Sequence, residues 1–167
     1  MIKRIVIHKK ILESFKRKAV KAMPNEIIVA ILGKMEKHDV LHIYALDTLE
    51  VVSSEVKTRV KILKYYQPEE EMEAGTTLKY FGTLHTHPDM AIEPSEADKK
   101  DFLEKFNAEE INHMGTTWEY LPDEIMGILS FKRGKKVIQY TLAFYNIDFQ
   151  QIQVTISEDK RKSRKNV

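Results

Sequence analysis

Between Glu26 and Gly33 the chain runs Ile27-Ile28-Val29-Ala30-Ile31-Leu32, an unbroken apolar stretch rich in β-branched residues. That is the composition of a central strand covered on both faces. A sheet with this segment in its interior is therefore the organising element, and Glu26 stands at the mouth of its strand. Pro24-Asn25 separates it from what precedes.

The remaining elements arrange themselves around this strand. Residues 2–7 read as a short strand. Residues 9–23 place Ile11, Leu12, Phe15, Ala19, Ala22 and Met23 on one stripe at helical spacing. Residues 40–46 and 59–66 read as further strands, the second alternating Val60 and Ile62 with Lys61 and Lys64. An acidic segment with Pro68 and Gly75 spans 67–77 and reads as an exposed loop or one short helical turn, and 78–86 is another strand. After a loop at 88–94, residues 95–112 read as a helix burying Phe102, Leu103 and Phe106. Residues 125–131 and 137–145 flank Lys132-Arg133-Gly134-Lys135-Lys136 and so predict a hairpin; 149–156 gives a last strand or short helix. The order is that of a mixed α/β fold without internal repeat. At 167 residues and 43% hydrophobic the chain suits one domain and one active site. We take residues 1–158 as that domain and 159–167 as a basic, disordered tail.

Charge and composition exclude several functions. Lys and Arg total 27 and Asp and Glu 25, a formal +2, so no global field marks a nucleic-acid or membrane protein. Lys160, Arg161, Lys162, Arg164 and Lys165 concentrate positive charge in the tail, which reads as a solubilising end more than a nucleic-acid contact. With no cysteine, disulfides, thiolate metal sites and cysteine nucleophiles are all absent, so any metal rests on nitrogen and oxygen. Neither a signal-peptide pattern nor a run of about eighteen apolar residues occurs, and the default expectation is a soluble cytoplasmic protein.

The chemistry concentrates in His85-Thr86-His87-Pro88, at the end of a predicted strand. Side chains at i and i+2 of a strand point the same way from positions roughly 6.5–7 Å apart, so two imidazoles can converge on one ion. Ser95 and Asp98 follow at the start of the next helix, where a loop folding back would add a carboxylate. Two histidines and an aspartate leave a fourth tetrahedral position for water, the pattern of catalytic zinc, although iron or cobalt suits the same donors. A plainer explanation exists for each fragment. His-x-His occurs as surface decoration, and Ser95 with Asp98 is the sequence of an N-terminal capping box. Their joint spacing is what argues for a site.

His85-x-His87, seven residues, Ser95-x-x-Asp98 and upstream Glu26 resemble the JAMM signature of the MPN-plus metalloprotease family, with all five positions filled. Gly33, seven residues after the glutamate, and Gly82, three before the first histidine, agree with the family. Val29 and Thr83 depart from it, standing where the family usually has a glycine and an aromatic residue. The resemblance implies a single MPN-like domain: a central, mostly antiparallel curved sheet flanked by helices, of the cytidine-deaminase-like kind. It implies zinc held by His85, His87 and Asp98, with Glu26 as general base and Ser95 donating to the oxyanion. It also implies cleavage of peptide or isopeptide bonds after the tail of a ubiquitin-like protein or its conjugate. Residues 69–71 and 107–117 are candidate substrate flanks. Two other classes follow from similar domains, a non-catalytic MPN scaffold and a RadC-like nucleic-acid-associated protein. The scaffold versions usually lose ligands, which this chain keeps.

His38-Asp39-Val40-Leu41-His42 echoes a helical zinc motif, but it lies in a predicted strand, where the two histidines sit about 13 Å apart. Both read as surface residues, and His8 and His113 have no partners in the sequence. Trp118 and Tyr120 read as core or loop anchors.

Overall fold

A computed structural model describes residues 1–48, 51–53, 58–60, 78–104 and 124–158. The apolar run forms most of β2 (Ile28–Glu36), whose residues 29–33 are all buried. This strand is central, pairing antiparallel with β3 (Val40–Thr48) on one side and with β6 (Lys79–Pro88) on the other. Having neighbours on both edges and side chains buried on both faces explains why the segment carries no polar alternation.

In chain order, β1 (Arg4–His8) leads directly into α1 (Lys9–Ala22). The His8 Nδ1 caps this helix by accepting the Lys10 N–H at 3.1 Å. Leu12, Phe15 and Ala19 enter the main core beside Ile5, Ile7, Ile31, Leu41, Leu84, Leu129, Phe131 and Phe144. Ile11 and Met23 pack on its margin, so the expected apolar stripe is the buried face. After β2 and β3 comes a separate two-stranded ribbon of β4 (Val51–Ser53) and β5 (Thr58–Val60). Beyond β6 lie α2 (Glu96–Glu104), the expected hairpin β7 (Ile125–Arg133) and β8 (Ile138–Tyr145), and β9 (Gln151–Ser157).

The main sheet runs β1-β3-β2-β6-β7-β8-β9 and closes, because β1 pairs in parallel with β9 as well as with β3. The sheet is mostly antiparallel, as expected, but its closure corrects the expectation of a curved sheet flanked by helices. Parallel pairing occurs at β1–β3, β1–β9 and β6–β7, antiparallel pairing at the other four contacts. Among the described residues two helices accompany this closed sheet. The reason is physical: side-chain alternation records which face of a strand is buried, while closure is made by main-chain groups along its edges.

Two finer expectations change as well. Leu103 is 46% exposed while its neighbour Phe102 is 2% exposed. Successive helical residues point about 100° apart, and α2 buries a stripe too narrow for both. The terminal segment at 149–156 resolves into the strand β9. Residues 61–77, 105–123 and 159–167 fall outside the described residues. With them go most of the strand expected at 59–66, the acidic loop, Phe106, His113, Trp118, Tyr120 and the basic tail.

Among the described glycines, Gly82 has the closest backbone neighbour to where a Cβ would stand. Its φ of +139° coincides with a register shift, β2 pairing Ile31 with Gly82 and then Leu32 with Tyr80. A Cβ at Gly82 would overlap the Ile125 carbonyl of β7. Only glycine satisfies both demands, and the irregularity sits just upstream of His85.

Candidate metal centre

β6 delivers His85 and His87 to one face of the sheet, as their i, i+2 spacing requires. Their Nε2 atoms stand 3.0 Å apart, with ring centroids 4.8 Å apart and planes at 63°. Both rings are buried, at 8% and 1% exposure. Asp98, in the first turn of α2, completes the group. Its Oδ2 lies 3.0 Å from the His87 Nε2 and its Oδ1 lies 3.3 Å from the His85 Nε2.

Two main-chain arrangements hold these side chains in place. Asp98 N–H donates to the Ser95 Oγ at 3.1 Å and Ser95 N–H donates back to the Asp98 Oδ2 at 2.8 Å, a reciprocal capping box. At the other end of the site His87 Nδ1 meets the Ala91 carbonyl at 2.7 Å. That carbonyl can only accept, so Nδ1 carries the hydrogen and Nε2 is left to face Asp98.

The donor set fits a divalent ion. One oxygen and two nitrogen ligand atoms lie within 4.8 Å of one another, all of types that accept rather than donate when deprotonated. Such atoms converge stably only around a cation, whether a proton or a metal. The titration behaviour agrees. His87 is raised above its ordinary value by its hydrogen bond to Asp98, against the effect of burial, with the Ala91 carbonyl and the charges of Asp98 and Glu26 adding to the rise. For Asp98 burial works toward protonation, but hydrogen bonds from His85 and His87, the His85 charge and the Ser95 N–H hold it well below the usual carboxylate range.

Glu26 reaches the same end of the sheet through register. Ile28 pairs with His85, and Thr86 N–H donates to the Ile27 carbonyl at 3.0 Å. Glu26 stands two residues ahead of Ile28, just before β2 begins. It is exposed, and its charge is among those that raise His87. The structure thus brings Glu26, His85, His87, Ser95 and Asp98 to one end of the β2–β6 pair. By contrast His42 meets Glu36 at 3.0 Å, and His38 lies exposed in the preceding turn.

Sequence reading missed two contributors. The Thr86 hydroxyl, between the histidines, accepts the Ile27 N–H at 2.9 Å and so ties the Glu26 strand to the metal strand. A hydroxyl at the centre of His-x-His was the available signal for it. The Ala91 carbonyl had none, because every residue carries one.

A family model described as prokaryotic homologs of the JAB domain matches residues 8–115, well over half of the chain. The chain belongs to this family. Two solved structures agree on the fold. A JAB1/MPN domain protein from Archaeoglobus fulgidus is 20% identical with a TM-score of 0.50, over 90% of this chain and 98% of that one. A Desulfitobacterium hafniense protein solved in solution is 16% identical with a TM-score of 0.54, over 94% and 95%. A structure described as JAMM, a metalloprotease-like zinc site in the proteasome and signalosome, is 20% identical with a TM-score of 0.45, over 93% and 99%. No curated protein matches the chain. The protein is thus a JAB/MPN domain with a metal-capable His-His-Asp group at the end of β6. No helix among the described residues is long and apolar enough to cross a membrane.

Proposed function

We propose that this JAB-domain protein is a zinc-dependent peptidase that cleaves peptide or isopeptide bonds after the C-terminal tail of a ubiquitin-like protein. The observation that carries this reading is the convergence of His85, His87 and Asp98, with Glu26 two residues ahead of Ile28, the partner of His85. His85, His87 and Asp98 are the zinc ligands. The chemistry zinc supplies when bound is acidification of water toward neutrality and polarisation of the scissile carbonyl.

The chain's own residues do the rest. Glu26, exposed and near enough for its charge to act on His87, accepts the proton of the attacking water and returns it to the leaving amine, so no covalent enzyme intermediate is required. Ser95 Oγ accepts the Asp98 N–H, which leaves its own hydrogen to donate to the oxyanion as the carbonyl becomes tetrahedral. His87 is kept by Ala91 with Nε2 toward the metal. Burial of both imidazoles excludes water from the back of the site and strengthens every interaction of charge within it.

The substrate class follows from the family resemblance. A glycine-ended tail is extended and narrow, suited to backbone pairing along a strand edge beside the site. Residues 69–71 and 107–117, the flanks expected from the sequence, lie outside the described residues.

The test combines metal content with cleavage. Protein purified without chelator should hold about one zinc per chain, and zinc-loaded protein should cut a glycine-ended ubiquitin-like fusion or conjugate. Glu26→Gln should keep the zinc while turnover falls roughly 10²–10⁴-fold. Full turnover in that variant would remove Glu26 from its role; absence of bound metal in the wild type would sink the whole assignment.

A further inference from the structure

The loop from His87 to Ser95 carries the chain from one ligand to the helix that bears the next. Three consecutive carbonyls in it each have a donor from elsewhere. Ser130 Oγ donates to the Met90 carbonyl, His87 Nδ1 to that of Ala91 at 2.7 Å, and the Tyr145 hydroxyl to that of Ile92 at 3.2 Å. Ser130 and Tyr145 are themselves buried, at 6% and 3% exposure, whereas Met90 is 42% exposed. Carbonyls of a surface loop are ordinarily satisfied by water. Here two buried hydroxyls are committed to them.

Both hydroxyls are rigidly mounted. Ser130 lies on β7 directly beside His87 in the parallel β6–β7 register. Tyr145, at the end of β8, accepts a bond from Gln151 Nε2 at 3.3 Å. The Ile92 side chain packs against Ile128, Ala143 and Tyr145, so the loop is also plugged into the sheet by an apolar contact. The next bond along the chain, Asp89 N–H to the Phe131 carbonyl at 2.8 Å, continues the same attachment to β7.

We infer that Ser130 and Tyr145 are positioning residues for His87, clamping the peptide units before and after the one that carries the Ala91 carbonyl so that this carbonyl stays aimed at Nδ1. The inference rests on the metal-centre reading above. Neither hydroxyl touches a ligand atom; each acts through the loop. An isolated peptide unit rotates easily about its flanking φ and ψ, which would swing the Ala91 carbonyl away and free the imidazole to place its hydrogen on Nε2. An imidazole so protonated cannot bind a metal through that nitrogen. Held from both sides, the carbonyl enforces one tautomer and one ring orientation before metal arrives.

The experiment is a zinc chloride titration by calorimetry on the full chain and on Ser130→Ala, Tyr145→Phe, the double variant and Ser130→Thr. In parallel, nitrogen-15 NMR of the metal-free proteins follows the His87 Nδ1–H, a signal that a purely structural role would leave alone. Loss of an outer partner of a ligating histidine lowers metal affinity roughly 10–100-fold, so the double variant should bind zinc at least about tenfold more weakly. Its Nδ1–H should broaden through exchange, and Ser130→Thr should restore both readouts. Unchanged zinc affinity and an unchanged Nδ1–H in a folded double variant would overturn the inference. So would a Ser130→Thr variant as weak as Ser130→Ala. If the wild type binds no zinc, the metal reading itself fails, and an Nδ1–H equally protected in wild type and double variant then overturns the clamp as well.

Discussion

Zinc should stabilise the folded chain by an amount that depends on pH in a direction the site dictates. A ligand that binds only the native state adds RT ln(1 + [L]/Kd), about 2.7 kcal/mol at a hundred times Kd. A domain near this chain's 167 residues shifts its Tm by about 2–4 °C per kcal/mol. The expected rise at neutral to mildly alkaline pH is therefore about 5–11 °C. Without metal, protonated His87 and ionised Asp98 stabilise each other. The folded-state value of His87 is raised above the ordinary 6.5, so its contribution is complete below that pH and fades as pH climbs through the raised value. Asp98 is depressed below the ordinary 3.8, so its contribution holds above that pH and is lost only under stronger acid. Zinc must displace the His87 proton but finds Asp98 already ionised. Each pH unit below the raised His87 value costs about tenfold in apparent affinity, or ~1.4 kcal/mol and about 3–6 °C of the zinc-induced shift. Paired thermal melts with zinc and with chelator at pH 8, 7 and 6 read this directly. A zinc shift that stays level or grows on acidification, or that survives in His87→Ala, refutes the reasoning.

The other expectations concern single positions. Ser95→Ala removes the 3.1 Å cap on Asp98 N–H, so thermal melts should show a loss of about 1 kcal/mol, while single-turnover cleavage slows about 10²-fold with zinc retained. A variant as fast as wild type would take Ser95 out of the chemistry. Gly82→Ala combines a φ of +139° with overlap on the Ile125 carbonyl, and urea unfolding should register a loss of at least about 3 kcal/mol; a loss under about 1 kcal/mol would mean β7 yields easily there. Phe102→Ala should cost about 3 kcal/mol or more and Leu103→Gln within about 0.5 kcal/mol, because one ring is 2% and the other side chain 46% exposed. Equal costs in the same unfolding assay would contradict the orientation of α2.

What the sequence made legible was whatever side-chain chemistry writes into local spacing. The Ile27–Leu32 run announced a doubly buried strand, the stripe through Leu12, Phe15 and Ala19 a packed helix, and His85-x-His87 two rings on one face. Closure of the sheet was not legible, because β1 meets β9 through peptide groups that any residues would supply. The Ala91 carbonyl was hidden for the same reason. Ser130 and Tyr145 were hidden by distance, lying 40 and 53 residues from the carbonyls they hold. The three-residue strands β4 and β5 are too short to show a period; only the second overlaps a segment read as a strand.

Ser95 and Asp98 show how far a plain explanation and a functional one can coincide. Read as a helix cap, the pair needs Oδ2 of Asp98 turned back toward the Ser95 N–H, and that is where it lies. Turning it back also brings the carboxylate over β6, where Oδ2 reaches His87 and Oδ1 reaches His85. The cap is thus the device that aims the ligand, and the start of α2 adds partial positive charge that favours the ionised form metal binding requires. Removing the hydroxyl half of the cap, as Ser95→Ala does, should weaken the start of α2 while the Ser95 N–H still holds the Asp98 carboxylate. Removing the ligand and keeping a capping side chain, as Asp98→Asn does, should preserve α2 and abolish the metal. The two roles separate only under mutation, because in the folded chain one set of bonds performs both.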